Sequence, residues 1–315
     1  MRVRGSNNDG RWNEEGASLR IVIVGPFWKQ WWFNAILLSL FVLAGLLLYR
    51  WRLRTIAVRS ELQAAHDAQM SVMPQVPPKV AGLDVAGACL PASKVGGDFY
   101  EYLWAERRDA PFRLVIGDVS GKAMKAAMTA VMASGMFLVQ TDEHGPLPQV
   151  LETVNHSLHR KTERGVFVAI CMASFDVPAR QLQFCNAGLC KPLRCRDGVV
   201  IALDSEGDRT PLAIFPQQSY LATPVPMCAG DVYLFFTDGV TEAMDIGGEF
   251  FGEERLRKLF LELAGSQRPA SEIRDGITAA LKRFHRGTQP FDDITLVVVR
   301  VDPAPTTGTS FFSDL

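Results

Sequence analysis

One stretch constrains this chain more than any other: from Trp31 to Tyr49 the sequence WWFNAILLSLFVLAGLLLY carries no charged residue. At about 1.5 Å of rise per residue, a helix of that length covers most of the roughly 30 Å hydrocarbon core of a bilayer. A secretory h-region would be shorter and would end in a small-residue cleavage site, whereas this run ends in RWRLR. A helix buried in a soluble core keeps a polar face over such a length, and this one has none. It reads as a transmembrane helix, with Trp31, Trp32, Tyr49 and Trp51 suited to the two interfaces. Arg50, Arg52, Arg54 and Arg59 follow the run and only Lys29 lies close before it. The positive-inside rule therefore places the C-terminal part in the cytoplasm, after a single pass through the membrane. All six cysteines lie on that side and are expected as reduced thiols.

The flanks divide accordingly. Residues 1–30 hold the turn-rich NNDGRWNE and the alternating LRIVIV, which predict one hairpin or the last strands of an extracytoplasmic β-rich module; thirty residues bury no core of their own. Beyond the span at 31–49, Trp51, Val58, Leu62, Ala65 and Val72 recur on a 4-3 seam completed by Thr55 and Gln69. Two readings of this linker helix, residues 50–77, stay open: a two-stranded coiled coil giving a homodimer through residues 50–73, or an amphipathic helix lying on the following domain. Pro74, Pro77 and Pro78 end it. The remaining units are a domain at 78–302 and a disordered tail at 303–315. With 33 basic and 34 acidic residues the net charge is −1, so no global field recruits nucleic acid.

Between Val80 and Val301 the pattern is mixed. Strand-like runs are GLDVAGACL, FRLVIGD, VFVAICMASFD, QLQFCNA, VVIAL, DVYLFFTD and ITLVVVRV; helix-like runs cover Lys122 to Thr141, Leu147 to Lys161, Glu253 to Ala264 and Ser271 to Phe284. Strands come mostly in succession and helices in pairs, which predicts a layered α+β domain. Asp118 and Asp238 each terminate an apolar run, and Asp292 with Asp293 precedes another, while Asp98 closes a GGD motif. Each such run would present a carboxylate at the end of a buried strand. Several aspartates converging on one sheet edge repel unless a cation neutralises them, and oxygen donors of this hardness suit Mg²⁺ or Mn²⁺. The five histidines show no zinc spacing, and His156 with His159 reads as a pair of solvated surface residues.

The four motifs GGD, GDVSG, TDGVTE and FDDIT, together with AQMSVMP, NAG and GEFFGEERL, resemble in order and wording the metal-dependent PPM protein phosphatases. The resemblance is to the bacterial branch typified by stage II sporulation protein E and the sigma-factor regulatory phosphatases, and it runs from about Gln69 to Val301. It implies a four-layer αββα sandwich holding two Mn²⁺ or Mg²⁺ ions bridged by a water or hydroxide. Carried over, Asp118 bridges both metals and the Val119 carbonyl helps hold one; Asp98 supports the second metal, Asp238 and Asp292 the first, and Asp293 caps or orients its strand. Lys94 stands four residues before Asp98, where eukaryotic relatives place a phosphate-binding arginine. The implied activity is that of a Ser/Thr phosphoprotein phosphatase, with a phosphorylated anti-sigma-factor antagonist as substrate. Residues 1–30 resemble the end of a triple-tyrosine sensor module.

Three positions depart from the family pattern: Ala123 where glycine is usual, Leu189 where NAGH supplies histidine, and Glu101 where aspartate is usual. They keep a rival reading open, a catalytically silent scaffold that only binds a partner. Two further motifs are decoys. Cys190 to Arg196 matches the C-x5-R signature of tyrosine phosphatases, but Pro192 removes an N–H from the required cradle and Asp197-Gly198 reads as a hairpin turn. GDVSGK is one residue short of a Walker A loop.

Overall fold

The computed structural model describes residues 2–18, 20–23, 25–92, 95–103, 110–121, 124–141, 145–285 and 292–302, without the side chains of 17–18 and 57–62. The chain forms two compact units, Met1–Glu61 and Leu62–Leu315. In the first, β1 (Arg2–Val3) pairs antiparallel with β2 (Ala17–Ser18). Asn7 and Asn13 shape the intervening turns by accepting backbone N–H groups with their side-chain oxygens. Ile21–Ile23 form no strand despite their alternation, and they lie exposed.

Helix α1 runs Trp31–Val72. Its segment Trp31–Ile56 is long and apolar enough to cross a membrane, with mean hydropathy 2.1 and none of it buried. The hydroxyls of Ser39 and Thr55 donate to the carbonyls of Ala35 and Trp51, one turn back, so neither polar group is left bare on the apolar surface.

The second unit contains the last turns of α1 and a double sandwich. One sheet has the order β10-β7-β6-β5-β4 and the other β3-β12-β11-β8-β9, with every pairing antiparallel. The strands of the first sheet are β4 (Phe99–Leu103), β5 (Phe112–Val119), β6 (Val168–Asp176), β7 (Gln181–Ala187) and β10 (Thr223–Pro226). Those of the second are β3 (Leu83–Leu90), β8 (Leu193–Arg196), β9 (Val199–Ala202), β11 (Val232–Phe236) and β12 (Ile294–Val301). Helices α2 (Met124–Thr141) and α3 (Leu147–Lys161) cover the first sheet, and α4 (Gly252–Ala264) with α5 (Ala270–His285) covers the second. This is the expected four-layer αββα arrangement.

Binary patterning explains it. Along β11, Tyr233 and Phe235 point between the sheets, while Val232, Leu234 and Phe236 point toward α4 and α5. In β12, Val297, Val299 and Val301 face inward and Ile294, Leu296 and Val298 outward. Rings of Tyr102, Phe112, Phe175, Tyr233 and Phe235 then meet across the sandwich, tilted at Tyr102–Phe112 and Phe112–Phe175 and edge to face where Phe175 meets Tyr233 and Phe235. Strands buried on both faces are why these runs read as continuously apolar.

The C-x5-R segment is folded as strand β8 and its hairpin. Asp197 and Gly198 take φ of 49° and 75°, the turn that joins β8 to β9. Cys195 is buried in the outer core, and Arg196 makes a two-pronged pair with Asp231. No phosphate cradle exists there.

Candidate active site

The strand registers bring the motif aspartates to one end of the sandwich. Phe99 at the start of β4 pairs with Gly117 near the end of β5, and Phe236 at the end of β11 pairs with Leu296 near the start of β12. Asp98, Asp118, Asp238 and the pair Asp292-Asp293 therefore emerge beside one another. A bond between the sheets fixes the arrangement: Thr237 Oγ1 donates to Asp98 Oδ2 at 2.7 Å.

Electrostatics show how closely they crowd. Burial, followed by the charges of Asp238, Asp292 and Asp293, pushes Asp118 up to about 7, against which a hydrogen bond shared with Asp98 works. Asp98, 2% exposed, is held well above the carboxylate range by burial and then by Asp118 and Asp293. Asp238 is raised by burial and by Asp292. Among the described residues none of these carboxylates forms an ion pair with lysine or arginine. Nor do any three acidic, histidine or cysteine side chains there stand close enough to form a ready-made cation cage. The donor set nevertheless fits a hard divalent cation: all oxygen, mutually repelling and unpaired.

The two members of the FDD pair have different surroundings. Asp293 accepts the backbone N–H of Ala92 at 2.8 Å and of Gly97 at 2.7 Å, so its carboxylate is spent on holding the GGD loop. Asp292, among the described residues, accepts the N–H of Asp293, at 2.8 Å. Glycines make this nesting possible. A Cβ at Gly96 would lie 2.3 Å from Asp293 Oδ2, one at Gly97 would lie 2.7 Å from the Val119 carbonyl oxygen, and one at Gly239 would lie 1.9 Å from the Asp293 carbonyl oxygen. The Val119 N–H donates to the Gly97 carbonyl at 3.2 Å, which locks the two metal-loop candidates together.

Two participants lie inside the quoted motifs without having been given a role there. Glu242 is raised by burial and then by Asp238 and Asp292, so it borders the same mouth; its position four residues after Asp238 in TDGVTE was the available signal. Gln69, a seam position by spacing, instead turns its carboxamide onto the main chain of Gly96. Nε2 donates to the carbonyl at 2.8 Å, and the Gly96 N–H donates back to Oε1 at 3.2 Å. Met70 and Met73 pack beside it on the inner core, so the last turns of α1 do lie on the domain.

Lys94 and Ala123 fall outside the described residues. Leu189 is buried in the inner core, and Arg209 ties down its loop by donating to the Leu189 carbonyl and to Asn186. Glu101 sits on the opposite face of β4 from Asp98, accepting from Ser134 of α2 at 3.0 Å. His159 is half-buried against the Ala213 carbonyl at 2.8 Å, not solvated, whereas His156 is exposed.

Solved structures share this architecture. The SiaA-PP2C domain of Pseudomonas aeruginosa superposes with a TM-score of 0.69 at 22% identity, covering 79% of this chain and 98% of that one. The PP2C phosphatase domain of SpoIIE from Bacillus subtilis, solved with a fragment of its regulatory domain, gives 0.59 at 18% identity, over 71% of this chain and 64% of that one. In sequence, the phosphoserine phosphatase RsbU of Bacillus subtilis is 26% identical over 248 residues, 77% of this chain and 70% of RsbU. Fold and sequence together define the class: a PPM-type protein serine/threonine phosphatase. Within it, residues 108–302 match the model of the stage II sporulation protein E (SpoIIE) family, and the chain belongs to that family.

Proposed function

We propose that the chain is a membrane-anchored, Mn²⁺- or Mg²⁺-dependent phosphatase that acts on a phosphorylated anti-sigma-factor antagonist from the cytoplasmic side of the membrane. The observation that carries the metal requirement is the convergence of the motif aspartates on one end of the sandwich, where Asp98, Asp118 and Asp238 are each raised by burial and then by a neighbouring carboxylate, with no cationic partner among the described residues. Asp118, the Val119 carbonyl, Asp98, Asp238 and Asp292 would hold the ions, and Asp293 would serve as scaffold. Such ions, when bound, supply an ionised water and charge neutralisation for the phosphoryl group. The chain's own contribution is placement: Thr237 fixes Asp98, Asp293 fixes the GGD loop, and the three glycines let the loops approach. The phosphoserine substrate class rests on the likeness to RsbU, which is named a phosphoserine phosphatase, and the antagonist on the resemblance of the motifs to the sigma-factor regulatory phosphatases. The anchor rests on Trp31–Ile56 and its orientation on the arginines that follow.

The test uses the purified full chain in detergent with a phosphorylated antagonist protein and p-nitrophenyl phosphate, with and without Mn²⁺. Hydrolysis of both that disappears in excess chelator is expected. Undiminished hydrolysis in chelator refutes the metal requirement, and no hydrolysis of either with Mn²⁺ leaves the silent scaffold. Labelling of the cysteines in intact cells by a membrane-impermeant reagent would reverse the orientation.

A further inference from the structure

A strained and deliberately held segment lies beside the carboxylate mouth. Leu212 bonds Val168 in both directions, at 2.9 and 3.0 Å, and Val168 in turn pairs with Val119, the residue after Asp118. Two strand spacings, about 10 Å, therefore separate this segment from the end of β5. Ala213 takes φ of 70°, a left-handed conformation that a non-glycine residue adopts only under constraint. Helix α3 holds it there. The buried Asn155 accepts the Ala213 N–H at 2.8 Å and donates to the Phe215 carbonyl at 2.9 Å, while His159 meets the Ala213 carbonyl.

What this framework presents outward is apolar. Ile214 is 39% exposed and Phe215 54%, and Phe167, whose backbone is tied in both directions to Ser120, is 38% exposed. Three exposed cations, Arg160, Lys161 and Arg164, occupy the stretch between His159 and Phe167, and among the described residues none has a carboxylate partner. A core role would bury these rings, and a purely structural loop would need neither strain nor a buried asparagine to hold it.

We infer that Phe167, Ile214 and Phe215, with the cations of the α3 end, form the docking lip for the protein substrate, taking an apolar segment with acidic flanks that neighbours the phosphoserine. This rests on the phosphatase reading and deepens it by naming the surface that distinguishes a protein from a small phosphate ester. At roughly 3.3 Å per extended residue, the lip reads positions about three to five residues from the phosphoserine. The acidic preference follows from charge: unpaired cations beside an apolar patch complement carboxylates and steer encounter.

The experiment compares wild type, Ile214→Ser/Phe215→Ser and Arg160→Glu/Lys161→Glu/Arg164→Glu, all as full chains with Mn²⁺. Steady-state kinetics are measured on a phosphorylated antagonist protein, on phosphocasein and on p-nitrophenyl phosphate. Both variants should raise KM for the phosphoproteins about tenfold or more at little cost in kcat, while kcat/KM for the aryl ester moves less than about twofold. The charge variant should also lose the salt dependence of kcat/KM. Parallel losses on all three substrates, or unchanged KM on every phosphoprotein hydrolysed, overturn the lip. If phosphocasein is hydrolysed and the antagonist is not, the proposed substrate fails while the lip is still judged on phosphocasein. If nothing is hydrolysed, both readings fall.

Discussion

The aspartate cluster should make the cation-free protein less stable as pH rises through the weakly acidic range, the reverse of ordinary acid denaturation. In the unfolded chain Asp118 titrates near its ordinary 3.8, and in the fold it is pushed up to about 7. The folded state therefore holds a proton that the unfolded state has released. The stability this proton brings is complete below about pH 4 and is lost as pH climbs through 7. Converting the difference at about 1.4 kcal/mol per pH unit gives a loss of ~4 kcal/mol for this one site, and Asp98, Asp238 and Asp293 are displaced in the same direction. For a unit of this size, that corresponds to roughly 10 °C in Tm. The assay is thermal unfolding of the full chain in detergent and chelator, followed by near-UV circular dichroism from pH 4 to 8. Tm should fall over that range, and Mn²⁺ at pH 8 should restore it. Asp118→Asn should melt above wild type at pH 8 in chelator while losing turnover. A wild-type Tm that stays flat or rises with pH, or an Asp118→Asn variant less stable than wild type at pH 8, would refute the reasoning.

Other outcomes follow from named contacts. Asp238→Asn should cut Mn²⁺-dependent turnover by a factor of about a hundred or more with the fold retained, measured by single-turnover hydrolysis and circular dichroism. Asp293→Ala should act on stability as well, leaving the N–H groups of Ala92 and Gly97 without an acceptor at about 1–3 kcal/mol each, read from urea midpoints. Cys190→Ser should leave turnover within about twofold, since burial pushes that thiol up to about 12 and no thiolate is available; a trapped cysteinyl-phosphate would contradict this. Leu62→Asp should abolish weak self-association of the full chain by sedimentation if residues 50–73 form the dimer seam, and identical monomers for both proteins would remove it.

Much of the sandwich was legible because its central strands are buried on both faces and α3, α4 and α5 are amphipathic. Three strands were not, each for a physical reason. β4 carries Glu101 in its middle, a carboxylate met there by the Ser134 hydroxyl of α2 and by the Tyr102 backbone N–H. β8 lay inside the C-x5-R coincidence. β10, with Pro224 and Pro226, violates strand composition, yet it is an edge strand whose prolines face away while Thr223 and Val225 face the core. At the site, single aspartates at strand ends were readable one by one. The division of labour between Asp292 and Asp293 needed the long-range hydrogen bonds to Ala92 and Gly97, which no local spacing announces. Gln69 was hidden for the same reason: its partner Gly96 is distant in sequence, and its place on the helical repeat pointed to a seam.

The Gln69–Gly96 pairing bears on where this molecule can be cut. The prolines at 74, 77 and 78 look like the natural point for releasing a soluble phosphatase, yet a fragment starting there would leave the Gly96 N–H and carbonyl without the carboxamide that satisfies both, and would strip Met70 and Met73 from the inner core. The loop lost in that bargain is the one that ends in Asp98. A fragment beginning near residue 62 retains the whole catalytic end; one beginning at 78 should be soluble, folded in outline and poor at its chemistry, a result easily mistaken for an enzyme that is silent by nature.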